Sequence, residues 1–467
     1  MSSENPIRTG VTFKSLYTLF QQALSGQQQD YTTGSIRRAV VLLSVPMILE
    51  MCMESVFAVV DIFFVGRIGR EAVATVGLTE SVMTLVYSVA IGLSMAATAM
   101  VARRTGEKRP EEAARSAAQA IIMSLGLTVV ISIAGSWLAP EILRVMGASR
   151  VVVEQGASYT RTLFSASVVI MLLYLINGIF RGAGNASIAM WSLWIGNGCN
   201  IILCPILIHF YGLRGAAIAT VIGRGVGIVY QLFHLFSGRG QVHILRKYFK
   251  PDPAILRALT KIAWTGTTQF LIGSASWIVM ARIIATFGDT SIAGYQVAIR
   301  ILLFFLLPAW GMSNAAATLV GQNLGAGQPE RAEQSVRTAA WYNTLFMIGV
   351  SLLFLFGSGP IVSFMNKDAG VVELATRALR VISMGYILYG IGMVLTNAFN
   401  GAGDTRTPTI INLFCFWAFQ IPVAWLLAII LKLGPMGVFL AILLTEAVLT
   451  ATSYLIFRKG KWKKVKV

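Results

Sequence analysis

The chain has 467 residues, of which 56% are hydrophobic and only 12% are charged, and its mean hydropathy is +0.71. A soluble domain carries roughly 25% charged residues, so this composition excludes an ordinary water-soluble protein and indicates one whose outer face is solvated by lipid. The net charge of +18 would suggest nucleic-acid binding in a soluble protein. In a membrane protein, the positions of Lys and Arg first indicate which loops are cytoplasmic.

The N-terminal part begins with a polar tail, residues 1–36, which shows no secretory signal. Phe13, Leu16, Tyr17, Phe20 and Leu24 recur at helical spacing, which is compatible with a helix on the inner membrane surface or with a loosely ordered tail. Six long apolar runs follow and predict six membrane helices, an N-lobe over residues 37–237, at 38–66, 71–101, 113–139, 152–180, 186–209 and 213–237.

A basic linker, residues 238–256, separates these runs from a second set of six. The second set predicts a C-lobe over residues 257–457, with runs at 257–286, 291–320, 333–360, 371–399, 407–431 and 435–457. A basic tail, residues 458–467, ends the chain. The predicted fold class is therefore all-α integral membrane, with twelve transmembrane helices.

Lys and Arg are unevenly distributed between the predicted loops. If both termini lie on one side, as an even helix count requires, the loops and tails of that side hold far more Lys and Arg than the other loops. The positive-inside rule therefore predicts that both termini are cytoplasmic. The charge then attracts anionic lipid headgroups, and no nucleic-acid partner is expected.

Residues 69–184 and 288–403 repeat each other at a shift of 219 residues, without a gap. Shared composition would align some Ala and Gly, but it would not also align charged residues and proline in one register. Because each half has an even number of helices, the repeats are parallel and related by a pseudo-two-fold axis along the membrane normal. Diagnostic pairs are Pro110/Pro329, Glu154/Glu373 and Arg161/Arg380.

Several local motifs carry a family resemblance. They are Phe-Arg-Gly-Ala-Gly-Asn at 180–185, Phe-Asn-Gly-Ala-Gly-Asp-Thr at 399–405, Gly-Gln-Asn-Leu-Gly-Ala-Gly at 321–327, and the entry helix between 46 and 69. With these motifs, residues 37–457 resemble the bacterial MATE (multidrug and toxin extrusion) transporters in order and in helix count. The resemblance implies a multi-pass protein of the inner (plasma) membrane. The two Gly-x-Gly sequences are predicted to be tight structural turns rather than phosphate-binding loops.

Three carboxylates, Glu50, Glu54 and Asp61, share one face of the first predicted helix. Exposed to lipid, three ionised carboxylates would cost roughly 8–10 kcal/mol, so this face must point to a polar interior. They are candidates for a cation-coupling site, although Glu50 and Glu54 could instead join helices through hydrogen bonds. Asp61 matches the aspartate of the MATE N-lobe site.

The fifth helix offers Asn197 and Asn200, followed by Cys204. The resemblance implies that Asn200 completes the coupling cluster, with possible Na⁺ binding at Asp61, Glu54 and Asn200. Cys204 departs from the family pattern, because a thiol does not supply the hard oxygen ligand that Na⁺ prefers. Helices 7 and 10 carry no carboxylate where the NorM-like branch does, so the chain resembles the DinF-like branch more closely.

Other polar and aromatic residues inside the predicted helices are secondary candidates. Arg224 and Glu446 each lie nine residues after a glycine, Gly215 and Gly437, and so occupy repeat-equivalent positions. They are expected to be paired or to line a cavity, with partners that the sequence does not identify. The four cysteines are interpreted as core residues. The candidates for lining a substrate cavity are Asn197, Tyr87, Tyr174, Trp277 and Tyr389. The aromatic side chains among them are predicted either to stack on an organic cation or to serve in ordinary helix packing.

Three functions are compatible with a membrane protein of this kind. The first, implied by the resemblance, is a secondary active antiporter that exports organic and often cationic or amphipathic compounds in exchange for H⁺ or Na⁺. A flippase for a lipid-linked precursor would favour a cationic cavity, which the acidic first helix opposes. A membrane enzyme or receptor finds no support, since no P-loop, metal motif or nucleophile elbow occurs. No cofactor is expected, and the chain is predicted to act as a monomer.

Overall fold

The computed structural model describes residues 13–27, 29–238 and 240–467. Within these ranges the chain is all-helical and contains no β-strand, which confirms the predicted fold class. A short helix, α1 (Phe13–Ser25), precedes the N-lobe. The N-lobe helices are α2 (Ile36–Gly66), α3 (Arg70–Gly106), α4 (Pro110–Trp137), α5 (Ala139–Val145), α6 (Arg150–Ser165), α7 (Ser167–Gly182), α8 (Ala186–Tyr211) and α9 (Leu213–Phe236).

The C-lobe repeats this order of long helices. Its eleventh span, Arg406–Ile430, contains wide π-helical turns at Leu413–Gln420 and Leu426–Ile430 on either side of Pro422, which lacks a backbone N–H. The C-lobe helices are α10 (Pro253–Ala285), α11 (Asp289–Gly325), α12 (Pro329–Met365), α13 (Ala369–Met384), α14 (Tyr386–Gly401), α15 (Arg406–Asn412), α16 (Ile421–Trp425) and α17 (Pro435–Arg458).

Helix length and composition fit a membrane. Nine helices of the described chain are long and apolar enough to cross a bilayer, and two bent pairs raise that number to eleven. The remaining span is α2, which has 31 residues. A hydrocarbon core about 30 Å thick needs about 20 helical residues. The predicted set of twelve spans is therefore confirmed.

Each lobe contains one bent span, at repeat-equivalent positions. The α6–α7 pair bends by 42° and the α13–α14 pair by 56°. A serine hydroxyl bonds a backbone carbonyl near each break, Ser167 to Phe164 O at 2.8 Å and Ser383 to Arg380 O at 3.1 Å. Such hydroxyls satisfy carbonyls that lose their helical partner at a bend.

The two Gly-x-Gly motifs form the predicted tight turns. Gly184 and Gly403 have φ values of +85° and +87°, a conformation that favours glycine. Gly182 and Gly401 lie so close to the backbones of Thr98 and Ala317 that a Cβ would clash. These glycines therefore let each span reverse direction with almost no loop.

The lobes contact each other in the half of the bundle that carries α1 and the C-terminal tail, here called the terminal face. Thr318 donates to Arg181 O at 3.0 Å and Gln322 donates to Gly182 O at 2.9 Å. Gly106 packs against the Gln322 backbone across the same interface. In the opposite half, the far face, the described residues form no cross-lobe hydrogen bond.

The tails and the linker pack on the terminal face. Trp462 of the C-terminal tail is buried and stacks on Phe457 with 4.8 Å between ring centroids. Arg103 of α3 donates to Val465 O at 2.5 Å, which ties this tail to the N-lobe. In the linker, Gln119 of α4 donates to Tyr248 O at 2.8 Å.

Helix α1 supports the helical alternative for the N-terminal tail. Tyr17 and Phe20 are exposed on it, whereas Ala23 is buried. The side chains of Phe13 and Leu16 lie outside the described part of the structure. Contact of α1 with a membrane surface stays a prediction.

Candidate functional site

Glu50 lies in a buried polar network between α2 and α7. Arg181 donates to its Oε1 at 2.5 Å and Asn177 donates to the same oxygen at 2.9 Å. Gln231 of α9 in turn donates to Asn177. Because Glu50 is fully buried and already faces a guanidinium, its arrangement fits the structural alternative left open by the sequence.

Glu54, one turn farther along α2, faces two other helices. Arg224 of α9 approaches its Oε1 at 3.4 Å, and Asn197 of α8 donates to its Oε2 at 3.3 Å. The structure thus identifies the partner of Arg224 that the sequence left unnamed. Both partners lie inside the N-lobe, so Glu54 faces the polar interior that its charge requires.

Asp61 lies nearer the far face and is the least engaged carboxylate of the stripe. Its Oδ1 is buried without a hydrogen-bond partner, and it makes no salt bridge within the described residues. It lies within electrostatic range of Arg224, of Tyr159 on α6 and of buried Cys204 on α8. An unpaired carboxylate in this setting is free to bind a proton or a cation.

Glu80 of α3 is a further carboxylate that the sequence analysis missed. It is exposed and lies within electrostatic range of Arg224, Asp61 and Glu54. It therefore adds a third carboxylate to the surroundings of Arg224. A signal was available, because Glu80 lies inside an apolar run, where a carboxylate marks a functional candidate.

The predicted asparagine positions are only partly brought together. Asn197 reaches Glu54, whereas Asn200 donates to Thr220 at 3.1 Å and leaves its own Oδ1 buried without a partner. No hydrogen bond joins Asn200 to Asp61 in the described chain. Over the same residues, no three His, Cys, Asp or Glu side chains are grouped as metal ligands.

The candidate aromatic residues divide between the lobes. Tyr87 and Tyr174 meet edge to face in the N-lobe, with ring centroids 5.8 Å apart, and Tyr87 lies 5.8 Å from the guanidinium carbon of Arg224. In the C-lobe, Tyr389 lies beside Tyr386 with centroids 6.3 Å apart, and Trp277 is half-buried on α10. Of the candidate aromatic residues, Tyr87 and Tyr174 are therefore the ones that lie near Arg224 and its carboxylate neighbours.

The C-lobe does not reproduce the acidic stripe. Gln269, Gly273 and Met280 occupy the positions equivalent to Glu50, Glu54 and Asp61. One carboxylate, Glu446 of α17, is buried with its Oε2 unpartnered and lies within electrostatic range of Tyr386. The two lobes therefore share a scaffold but differ in their internal charge.

Comparison with known proteins matches the MatE family model to residues 46–206 and 266–426, one stretch in each half. The chain is 26% identical over 423 residues to the probable multidrug resistance protein YoeA of Bacillus subtilis, covering 88% of this chain and 91% of that protein. It is 25% identical to the probable multidrug resistance protein NorM of Thermotoga maritima, covering 96% and 97%. A crystal structure of a MATE protein in complex with MaL6 superposes with a TM-score of 0.89 at 26% identity, covering 93% of this chain and 99% of that one.

Proposed function

The chain belongs to the MatE family, and from this premise we propose that it is a secondary active antiporter that exports organic, often cationic compounds in exchange for H⁺ or Na⁺. It is a multidrug-efflux-type membrane transporter and not an enzyme. Its two lobes enclose a central space that opens alternately to the two sides of the membrane. The likeness to YoeA and NorM supports multidrug substrates.

The observation that carries the coupling proposal is the open carboxylate of Asp61. Within the N-lobe, Glu50 is held by Arg181 and Glu54 contacts Arg224, whereas Asp61 has a buried oxygen without a partner. A transport cycle needs a group that gains and loses a cation. Asp61 is therefore assigned as the coupling residue, with Glu54 as a second carboxylate in the same space.

Of the two coupling ions, H⁺ fits the surroundings of Asp61 better than Na⁺. Cys204 lies within electrostatic range of Asp61 and offers a thiol where a hard oxygen ligand would serve Na⁺. Asn200 is engaged with Thr220 instead. A proton needs only one carboxylate oxygen, so the unpartnered Oδ1 of Asp61 is sufficient.

The proposed setting is a bacterial plasma membrane with both termini in the cytoplasm. The terminal face carries the basic linker and the basic C-terminal tail, which supports this orientation. This proposal also includes the lobe boundaries at 37–237 and 257–457 and a monomeric state. It further includes contact of the tails with lipid and the DinF-like affiliation.

A flippase for a lipid-linked precursor is the weaker function. Its anionic headgroup would require a strongly cationic cavity, whereas the N-lobe space holds Glu54, Asp61 and Glu80 with Arg224. Three carboxylates against one guanidinium favour cations.

Transport in vesicles tests the proposal. Efflux of a fluorescent organic cation is measured in proteoliposomes under an imposed pH or Na⁺ gradient, with wild-type protein, Asp61→Asn and the exposed control Asp289→Asn. We expect gradient-driven transport in wild type and in the control, and a loss of at least tenfold in Asp61→Asn, the scale of removing an essential charged group. Transport that survives both a collapsed gradient and Asp61→Asn would refute the coupling role.

A further inference from the structure

Arg224 is a buried cation whose hydrogen bonding is incomplete. Only 5% of the residue is exposed, and its one side-chain contact to a carboxylate is the 3.4 Å approach of Nη2 to Glu54 Oε1. Its Nε and Nη1 are buried without partners. A guanidinium has five N–H donors, and a buried one is stable only when most of them are satisfied. The Arg224 contact is therefore not a closed structural pair.

The contrast with Arg181 makes this point within the same lobe. Arg181 approaches Glu50 at 2.5 Å, and Asn177 supports the same carboxylate at 2.9 Å. The distance from Nη2 to Oε1 is 3.4 Å for Arg224 and Glu54 but 2.5 Å for Arg181 and Glu50, a difference of 0.9 Å. Charge-assisted hydrogen bonds are normally about 2.7–2.9 Å long. Arg224 thus holds Glu54 more loosely than Arg181 holds Glu50.

Two other carboxylates compete for Arg224. Asp61 and Glu80 both lie within its electrostatic range, yet neither forms a salt bridge with it in the part of the chain that the structure describes. On its other sides are aromatic rings, with Phe57 at 5.6 Å and Tyr87 at 5.8 Å from the guanidinium carbon. These are distances at which a planar cation interacts with an aromatic face.

The fold itself does not require a cation at this position. Aligned on Gly215 of α9 and Gly437 of α17, the C-lobe residue equivalent to Arg224 is Glu446, nine residues farther on in each helix. Helix α17 therefore carries the opposite charge where α9 carries Arg224. Gly273 likewise replaces Glu54 in the C-lobe, and a Cβ there would meet no atom within 4 Å. The Arg224–Glu54 contact is thus an addition specific to the N-lobe.

We propose that Arg224 is an internal counter-cation that occupies Glu54 while the N-lobe space is empty, and that an organic cation displaces it. The incoming ligand is a monovalent organic cation with planar, delocalised charge, which would replace the guanidinium at Glu54 and beside Tyr87. Arg224 then turns toward Asp61 and Glu80. This inference rests on the proposed function, because it names the substrate class and the competitor at the same site.

Equilibrium binding tests the displacement without any ion gradient. Binding of ethidium, a planar organic monocation, to the purified full-length protein is followed by fluorescence anisotropy. Arg224→Met removes the charge but keeps an extended side chain, and we expect about tenfold tighter binding, within the usual range for coupled sites. Arg224→Lys retains a cation at this position and is expected to bind ethidium less tightly than Arg224→Met does. The matched control is Arg214→Met, which changes an exposed arginine in the first turn of α9.

A second variant, Glu54→Gln, tests the inference through ethidium binding even if Arg224→Met folds poorly. Glu54→Gln removes the group for which the two cations compete, so we expect weaker ethidium binding than in wild type. Adding Arg224→Met to Glu54→Gln should then give much less than the tenfold gain. Unchanged or weaker ethidium binding in folded Arg224→Met, or normal binding in Glu54→Gln, would overturn the inference.

The two proposals fail separately. Wild-type protein that binds no ethidium also overturns the displacement inference, because the site would not accept a planar monocation. Loss of gradient-driven transport in Asp61→Asn would still support antiport in either case. Conversely, Arg224-dependent ethidium binding together with gradient-independent transport would leave the displacement standing and reject the coupling role of Asp61.

Discussion

Glu50 on α2 and Arg181 at the end of α7 form a buried ion pair with 2.5 Å between Oε1 and Nη2. The pair joins the acidic stripe to the Phe-Arg-Gly-Ala-Gly-Asn turn that reverses the chain between α7 and α8. Arg181 also accepts a hydrogen bond at its backbone oxygen from Thr318 of the C-lobe. One residue thus connects the carboxylate stripe to the interface between the lobes.

Glu50→Gln should reduce stability strongly. The change leaves the Arg181 guanidinium charged and nearly buried without its counter-ion, and breaking a buried pair costs about 3–5 kcal/mol. We expect a lower melting temperature in detergent and a loss of transport in proportion to the unfolded fraction. Glu373→Gln breaks an exposed pair with Arg377 and should cost less than about 1 kcal/mol.

The double variant Glu50→Gln/Arg181→Met separates charge from packing. It removes both charges, so part of the stability lost in Glu50→Gln should return. If Glu50→Gln unfolds at the wild-type temperature, the pair is not the anchor that its geometry indicates.

Much of the fold could be predicted from the sequence, because apolar runs longer than a bilayer span have few alternatives to membrane helices. The partners of the charges could not be predicted. Glu50 and Arg181 are separated by 131 positions, and their pairing depends on how α2 packs on α7. Asn197 and Asn200 lie three residues apart on α8, so only the rotation of that helix decides which one faces Glu54.

Glu80 was a different kind of omission. It could have been identified by the rule applied to Glu50, since it too lies in an apolar run. Three carboxylates share one face of α2, whereas Glu80 is a single carboxylate within the apolar part of α3 and forms no such pattern. Its nearness to Asp61 and Arg224 appears only when α2, α3 and α9 are packed together.

Glu80→Gln should weaken the entry of organic cations rather than abolish transport. Glu80 is exposed and forms no salt bridge within the described residues, so it acts through its field, which salt screens. We expect the association rate of ethidium to fall about threefold at low ionic strength, with little difference from wild type near 1 M salt, where the Debye length is about 3 Å. Stopped-flow fluorescence measures this rate.

The control for this experiment is Glu141→Gln. Glu141 is exposed on α5, where it pairs with Arg144, and it has no place in the N-lobe space. An equal effect of Glu141→Gln, or a Glu80→Gln effect that persists at high salt, would contradict a steering role for Glu80.

Trp462→Ala should destabilise the terminal face. The Trp462 side chain is 1% exposed, stacks on Phe457 and donates from Nε1 to Phe457 O at 3.0 Å. Truncating a buried tryptophan costs about 3–5 kcal/mol, so we expect a lower unfolding free energy in detergent. Trp137→Ala changes a residue that is 80% exposed and should cost less than about 1 kcal/mol. Equal effects of the two substitutions would show that the C-terminal tail does not contribute to the folded core.

Gly106→Val should prevent closure of the terminal face. A Cβ at Gly106 would lie 2.7 Å from the Gln322 backbone carbon, and backbone atoms of a packed helix cannot move aside cheaply. The variant should therefore favour conformations in which the lobes separate at this end. The reporter is Asn323→Cys, a buried position on α11, in a background where Cys52, Cys199, Cys204 and Cys415 are replaced by Ser.

Labelling by a membrane-impermeant maleimide in inside-out vesicles measures this opening. We expect Asn323→Cys to react about tenfold faster in the Gly106→Val background, which corresponds to a shift of about 1.4 kcal/mol between the two conformations. Gly126→Val is the control, because a Cβ at Gly126 meets nothing within 4 Å. Equal labelling rates in the two backgrounds would mean that the close approach of Gly106 to Gln322 does not govern access from the terminal face.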